Sequence, residues 1–282
     1  MAITSIQLSP AFSHEHLRVL IAYLTAPNTL STSERGMLLQ AIDALRDSRV
    51  TESGHTRTFA QFYEAFVDAV YADAFLEAIW QAGDVEAVGR RWQADVARAI
   101  RQQFQQQGWY QAGDVNSRVL LAFCLYWWVS FAIGYTFEVE ILRDLAQSDV
   151  SFRAHDPRQR AERYAPADCT IGAWTGDVKS SAYFFLTARS ASLPHDFYVS
   201  RYYDSTARQR HRMVILKRYV WEQINGETRP VSFPHWPDLL LHPLRFAFAG
   251  QDLIAVDYEV WKEKVRQYQQ RGGAARGSET AG

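Results

Sequence analysis

A chain of 282 residues holds one large domain or two modest ones, and 48% hydrophobic against 22% charged residues, with 9 Trp, 14 Tyr and 16 Phe, excludes a disordered bulk. Cys124 and Cys169 form no CxxC and no paired spacing, which excludes a disulfide framework or a zinc knuckle and fits a reducing, cytoplasmic compartment. The net charge of −1 is unevenly spread: residues 1–150 carry 11 Lys+Arg against 17 Asp+Glu, residues 151–218 carry 12 against 6, and residues 219–282 carry 7 against 8, so one local stretch offers a site for a polyanion.

Met1 to Pro10 lacks a basic region followed by an apolar run, so no signal peptide is expected. The first ~150 residues read as almost wholly helical. Ser31-Thr-Ser-Glu34 is a capping-box pattern ahead of Met37, Leu38, Ile42 and Leu45, and Thr58-Phe-Ala-Gln61 is another ahead of Phe62, Phe66, Val70, Phe75 and Ile79. Asp84 is placed to cap a third helix ending near Gln107, where Gly108 and Gly113 break the pattern. Residues 1–113 are therefore read as a helical domain for recognition or dimerisation, with homodimerisation left open.

Val119 to Phe137 is a run of 19 uncharged residues, long enough to span a membrane. Ser130, Gly134 and Thr136, and the absence of a flanking Lys/Arg cluster, favour a buried central helix, and no membrane partner is expected. Further along this helix, Ile141, Leu142 and Leu145 lie three, four and seven residues after Glu138, which puts Glu138 on the buried stripe. A carboxylate aimed at a core needs a charge partner or a metal. Glu140, about 200° around the helix, is expected on solvated surface.

After Asp149 the texture changes to short strands: Ser151–His155, Ala167–Ile171, Trp174–Lys179, Phe197–Tyr203, Met213–Trp221 and Leu253–Val256. A short helix is expected over Ala182–Ala188, and Asp257 is placed to cap a last helix from Tyr258 to about Gln270. Residues 272–282, rich in Gly, Ala and Ser, read as a disordered tail.

The hairpin carries the chemistry. With Gly172-Ala173 as a two-residue loop, Ile171 pairs with Trp174, Thr170 with Thr175, and Asp168 falls opposite Asp177. Alternation then gathers Asp168, Thr170, Thr175, Asp177 and Lys179 on one face, and Cys169, Ile171, Trp174 and Val178 on the other. Two carboxylates so opposed are about 5 Å apart, so that one takes up a proton or a cation stands between them. Lys179 is placed to stabilise a pentavalent transition state or to orient the attacking water. His14, His16, His155-Asp156 and His195-Asp196 read as surface or capping residues, the last two pairs being kept out of a helix by Pro157 and Pro194.

Gly134-Tyr-Thr-Phe137-Glu138, Ile141 to Leu145, Ser151-Phe-Arg153, Asp168 and Gly176-Asp-Val-Lys-Ser-Ser181 together resemble the PD-(D/E)XK superfamily of restriction-type endonucleases, and the G-x-x-F-E opening is similar to archaeal Holliday-junction resolvases. The signature proline differs, since Pro166 stands two residues before Asp168. The resemblance implies an α+β chain in which a restriction-endonuclease-like αβββαβ core, within residues 114–271, follows the helical N-terminal region. It implies Mg²⁺, with Mn²⁺ as substitute, held by Glu138, Asp168, Asp177 and the Val178 carbonyl, and Lys179 as the catalytic lysine beside Asp168 and Asp177. The expected activity is hydrolysis of DNA phosphodiesters, RNA being left open. Arg153, Arg158, Arg160, Arg163, Ser180, Arg201, Arg208, Arg210 and Arg212 are the candidate nucleic-acid contacts. The alternatives are a non-catalytic nucleic-acid-binding or scaffold protein of the same fold, and a membrane-attached protein using Val119–Phe137.

Overall fold

The structure, a computed structural model, describes residues 3–26, 29–163, 165–181, 193–204, 209–225 and 244–279. It divides into two compact units, Met1–Tyr135 and Thr136–Gly282, so the division falls inside an apolar helix and not at the glycine break near residue 113. Both helices and sheets are present, as an α+β reading requires.

The first unit contains β1 (Ile3–Gln7), α1 (His14–Thr25), α2 (Thr32–Leu45), β2 (Arg49–Glu52), β3 (His55–Thr58), α3 (Phe59–Tyr63), α4 (Ala69–Gln81), α5 (Val85–Gln106) and the start of α6 (Val115–Gln147). The expected caps are in place. The Ser31 and Thr58 side chains accept from the backbone N–H groups of Glu34 and Gln61, whose side chains bond back, and Asp84 accepts from the Ala87 N–H. The all-helical expectation for this region is corrected by the antiparallel sheet β1-β2-β3. Its tight turn, Ser53-Gly54, has φ of 50° and 81°, the double positive φ of a type I′ two-residue hairpin.

Between α3 and α4 a π-helical turn, Glu64–Asp68, shifts the apolar stripe. Val67 is therefore buried, whereas Val70, expected inside, is 56% exposed. Phe62, Phe66 and Phe104 meet Trp109 edge-on with ring centroids 4.8–5.5 Å apart. The apolar run of α6 is long enough to cross a membrane, yet 56% of its most apolar window is buried, including Val119 to Leu125 and Trp128.

The second unit holds the end of α6, β4 (Arg153–Ala154), β5 (Cys169–Ile171), β6 (Trp174–Lys179), β7 (Phe197–Asp204), β8 (Gln209–Lys217), α7 (Arg218–Asn225), β9 (Leu244–Phe248), β10 (Gln251–Asp257) and α8 (Tyr258–Glu279). Among the described residues the sheet order is β4-β5-β6-β7-β8-β10-β9, antiparallel throughout except for the parallel pair β6–β7. One face is covered by helices: Phe137, Ile141 and Leu145 of α6, Val220, Trp221 and Ile224 of α7, and Tyr258, Trp261 and Val265 of α8 pack with Ile171, Val178, Val199 and Val214. The other face carries Leu193, Tyr198, Met213, Ile215, Leu244 and Leu253.

The strand expected to reach Trp221 ends at Lys217, because Val220, Trp221 and Ile224 follow a helical spacing and bury as one stripe. Asp257 caps α8 as expected, through the N–H groups of Glu259 and Val260. That helix runs on to Glu279 and takes in residues read as a disordered tail, where Ala274, Ala275 and Arg276 are strong helix formers. The helix expected over Ala182–Ala188 lies outside the described residues.

Candidate functional site: an acid cluster beside a lysine

The hairpin register is the one the alternation pattern requires. Cys169 pairs with Gly176, Thr170 with Thr175 and Ile171 with Trp174, across a loop in which Gly172 alone takes a positive φ, 59°. Gly176 is glycine for a reason of its own. A Cβ there would stand 2.0 Å from the ring of Phe197, its partner on β7, so the aromatic fills the space a side chain would need. Cys169, Ile171, Trp174 and Val178 bury against the helices, and Asp177 and Lys179 project from the opposite face.

Asp168 lies one residue before the regular pairing. Its N–H donates to the Gly176 carbonyl at 3.0 Å, and its Oδ2 accepts from the Val178 N–H at 2.6 Å, which ties the side chain to β6. Burial, followed by a hydrogen bond and charge repulsion from Asp177, pushes the Asp168 carboxyl up to about 7. Asp177 is buried and accepts from the Lys179 ammonium at 2.7 Å. Glu138, 7% exposed among Phe137, Ile141 and Leu145, is raised by burial first and then by the charges of Asp168 and Asp177, with Lys179 opposing. Four of the expected groups thus lie within electrostatic reach of one another: Glu138 of α6, Asp168 before β5, and Asp177 and Lys179 of β6.

Among the described residues no three His, Cys, Asp or Glu side chains stand ready around a metal ion. Asp177 is held by Lys179 and Asp168 by a backbone N–H. The donor set itself fits a hard cation. Burial first, and then the charges of the neighbouring acids, raises Glu138 and Asp168, and a divalent cation relieves the second of these.

Glu140 departs from expectation. It is half-buried and forms ion pairs with both Arg201 and Arg212, which are themselves cross-strand partners on β7 and β8. The Arg201 guanidinium also lies 4.2 Å from the centroid of the Phe137 ring, and Asp144 accepts from Tyr258 and Lys262 at 2.8 and 2.7 Å. Arg201 and Arg212 therefore tie α6 to the helix-covered face of the sheet, and β-strand alternation is what turned them there.

The other basic candidates are dispersed. Arg163 is buried and donates to the Pro157 carbonyl, and Arg158 is paired with Asp156 at 2.8 Å, so both are turned into their own loop. Arg153 is exposed on β4 beside Thr170, on the acid face; Arg160 and Arg210 are exposed, Ser180 is half-buried, and Arg208 lies outside the described residues.

His16 is the capping residue it was read as, accepting from the Ser13 N–H. Asp196 is more than surface. It accepts from the Thr175 N–H at 2.9 Å, from Lys217 at 3.0 Å and from the Tyr219 hydroxyl, and so pins the start of β7 between β6 and β8. His195, held below its usual range mainly by burial, lies within electrostatic reach of Asp177 and Lys179. Neither role had a local signal, since both depend on the parallel pairing of β6 with a strand some twenty residues away.

Compared with known proteins, the chain matches no family model, no curated protein and no solved structure.

Proposed function

We propose that the chain is a divalent-metal-dependent endonuclease that hydrolyses DNA phosphodiester bonds, with a core of the PD-(D/E)XK type. One observation carries the reading: Glu138, Asp168, Asp177 and Lys179 lie within electrostatic reach of one another, with Asp168 and Asp177 on the two strands of the hairpin. The element order α6, β4, β5, β6 and then the parallel strand β7 supports it further, as far as the described residues go.

Glu138, Asp168, Asp177 and the Val178 carbonyl would hold Mg²⁺ or Mn²⁺, which when bound supplies a Lewis acid for a phosphoryl oxygen and lowers the pKa of a water. The chain's own groups do the rest. Lys179, with a side chain 42% exposed, is the cation able to leave Asp177 and meet charge developing on a phosphate. The Val178 N–H fixes the Asp168 carboxylate against β6. Arg153, exposed on the same face, supplies a phosphate contact.

A second reading, a non-catalytic nucleic-acid-binding protein, is favoured by the engagement of both aspartates in internal bonds. Incubating supercoiled plasmid with the protein in Mg²⁺, Mn²⁺ or EDTA separates the two. Nicked or linear DNA in either cation and none in EDTA is the expected result, whereas retarded but intact DNA in all three favours the second reading.

A further inference from the structure

One polar group beside this cluster has no assigned task. β7 runs parallel to β6 with Ser200 next to Lys179, and on its other side Ser200 pairs with Met213 of β8. Val199 and Val178 enter the helix-covered core, so Ser200 and Lys179 both project from the opposite face. Ser200 is 0% exposed, and among the described residues its Oγ has no hydrogen-bond partner. An unpaired buried hydroxyl is costly, and alanine would fill a strand position there without that penalty. Adjacent strands are about 4.8 Å apart, within the reach of a lysine's four-carbon stem. An ammonium also has three N–H donors, of which the bond to Asp177 uses one.

We propose that Ser200 is a positioning residue whose Oγ is the second acceptor for the Lys179 ammonium, taken up when Asp177 turns its carboxylate to a cation. The hydroxyl accepts one N–H of the ammonium and keeps its own proton, so no charge moves. Lys179 then stays over the acid face instead of swinging into solvent. The proposal rests on the nuclease reading.

Two measurements on the full chain test it. In single-turnover plasmid cleavage, Ser200→Ala should be about tenfold slower, the loss expected for one hydrogen bond to a charged group, with KM unchanged. Its thermal midpoint should be equal or higher, because the deleted hydroxyl bonds nothing. A crystal structure of the wild-type chain grown with Ca²⁺ should place Lys179 Nζ within about 3.2 Å of Ser200 Oγ. Wild-type rates for Ser200→Ala, a rate loss that tracks a lowered midpoint, or a Ca²⁺ structure with Ser200 still unpaired would each overturn the role of Ser200 while leaving the nuclease intact. A wild-type chain that cuts nothing would instead overturn the nuclease reading.

Discussion

Asp168 and Glu140 are both acids whose neighbours decide their roles. Asp168 keeps its proton to about pH 7 when folded, against an ordinary value near 4 when unfolded. Between those values the folded chain binds the extra proton, so without a cation its stability falls as pH rises from about 4 to 7 and is level above. Asp168→Asn should remove that slope, up to about 1.4 kcal/mol per pH unit, and raise the midpoint at pH 8. Thermal melts across this range check it, and an unchanged slope would mean that the acid pair does not share a proton. Glu140→Gln, for its part, should lower stability by about 1–3 kcal/mol, since Arg201 and Arg212 would lose their common carboxylate. A change under about 0.5 kcal/mol in denaturant titration would return Glu140 to ordinary surface. The helical period told Glu138 from Glu140 correctly by direction. It could not tell that the second direction meets two strand arginines, because the spacing of a helix says nothing of what packs beside it.

At the level of elements, the hairpin was the most legible part of the sequence, since a single register separates its acids from its apolar residues. The three caps on α2, α3 and α5 were legible for the same reason: each is a contact between residues three apart. The strands missed, β1 to β3 and β9, are only four or five residues long. Two of their turns, Ser53-Gly54 and Ala249-Gly250, carry paired positive φ values and were the signal that could have found them. Gly176 is an element-scale device, because its missing side chain lets Phe197 lie across β6. Gly176→Ala should cost about 3 kcal/mol or more, because Phe197 is itself buried and has nowhere to turn. A variant melting within a few degrees of the wild type would mean that the ring moves freely.

For the molecule as a whole, the charge pattern was misleading in its detail. The basic stretch 151–218 contains Asp168, Asp177 and Lys179 but not Glu138, and within it Arg163, Arg201 and Arg212 serve the fold and Arg158 serves its loop. Counting charge along a sequence does not say which way a cation points; that depends on strand alternation and pairing. The central claim, that the acids beside Lys179 hold a cation that cuts DNA, is tested most directly by single-turnover plasmid cleavage in Mg²⁺ by wild type and Asp177→Ala, matched for folding by circular dichroism. Cleavage by the wild type is expected, with a loss of about a hundredfold or more in the variant, whose stability without a cation is equal or slightly higher because the repulsion on Asp168 is gone. Equal cleavage by the two proteins, or none by either, would contradict it.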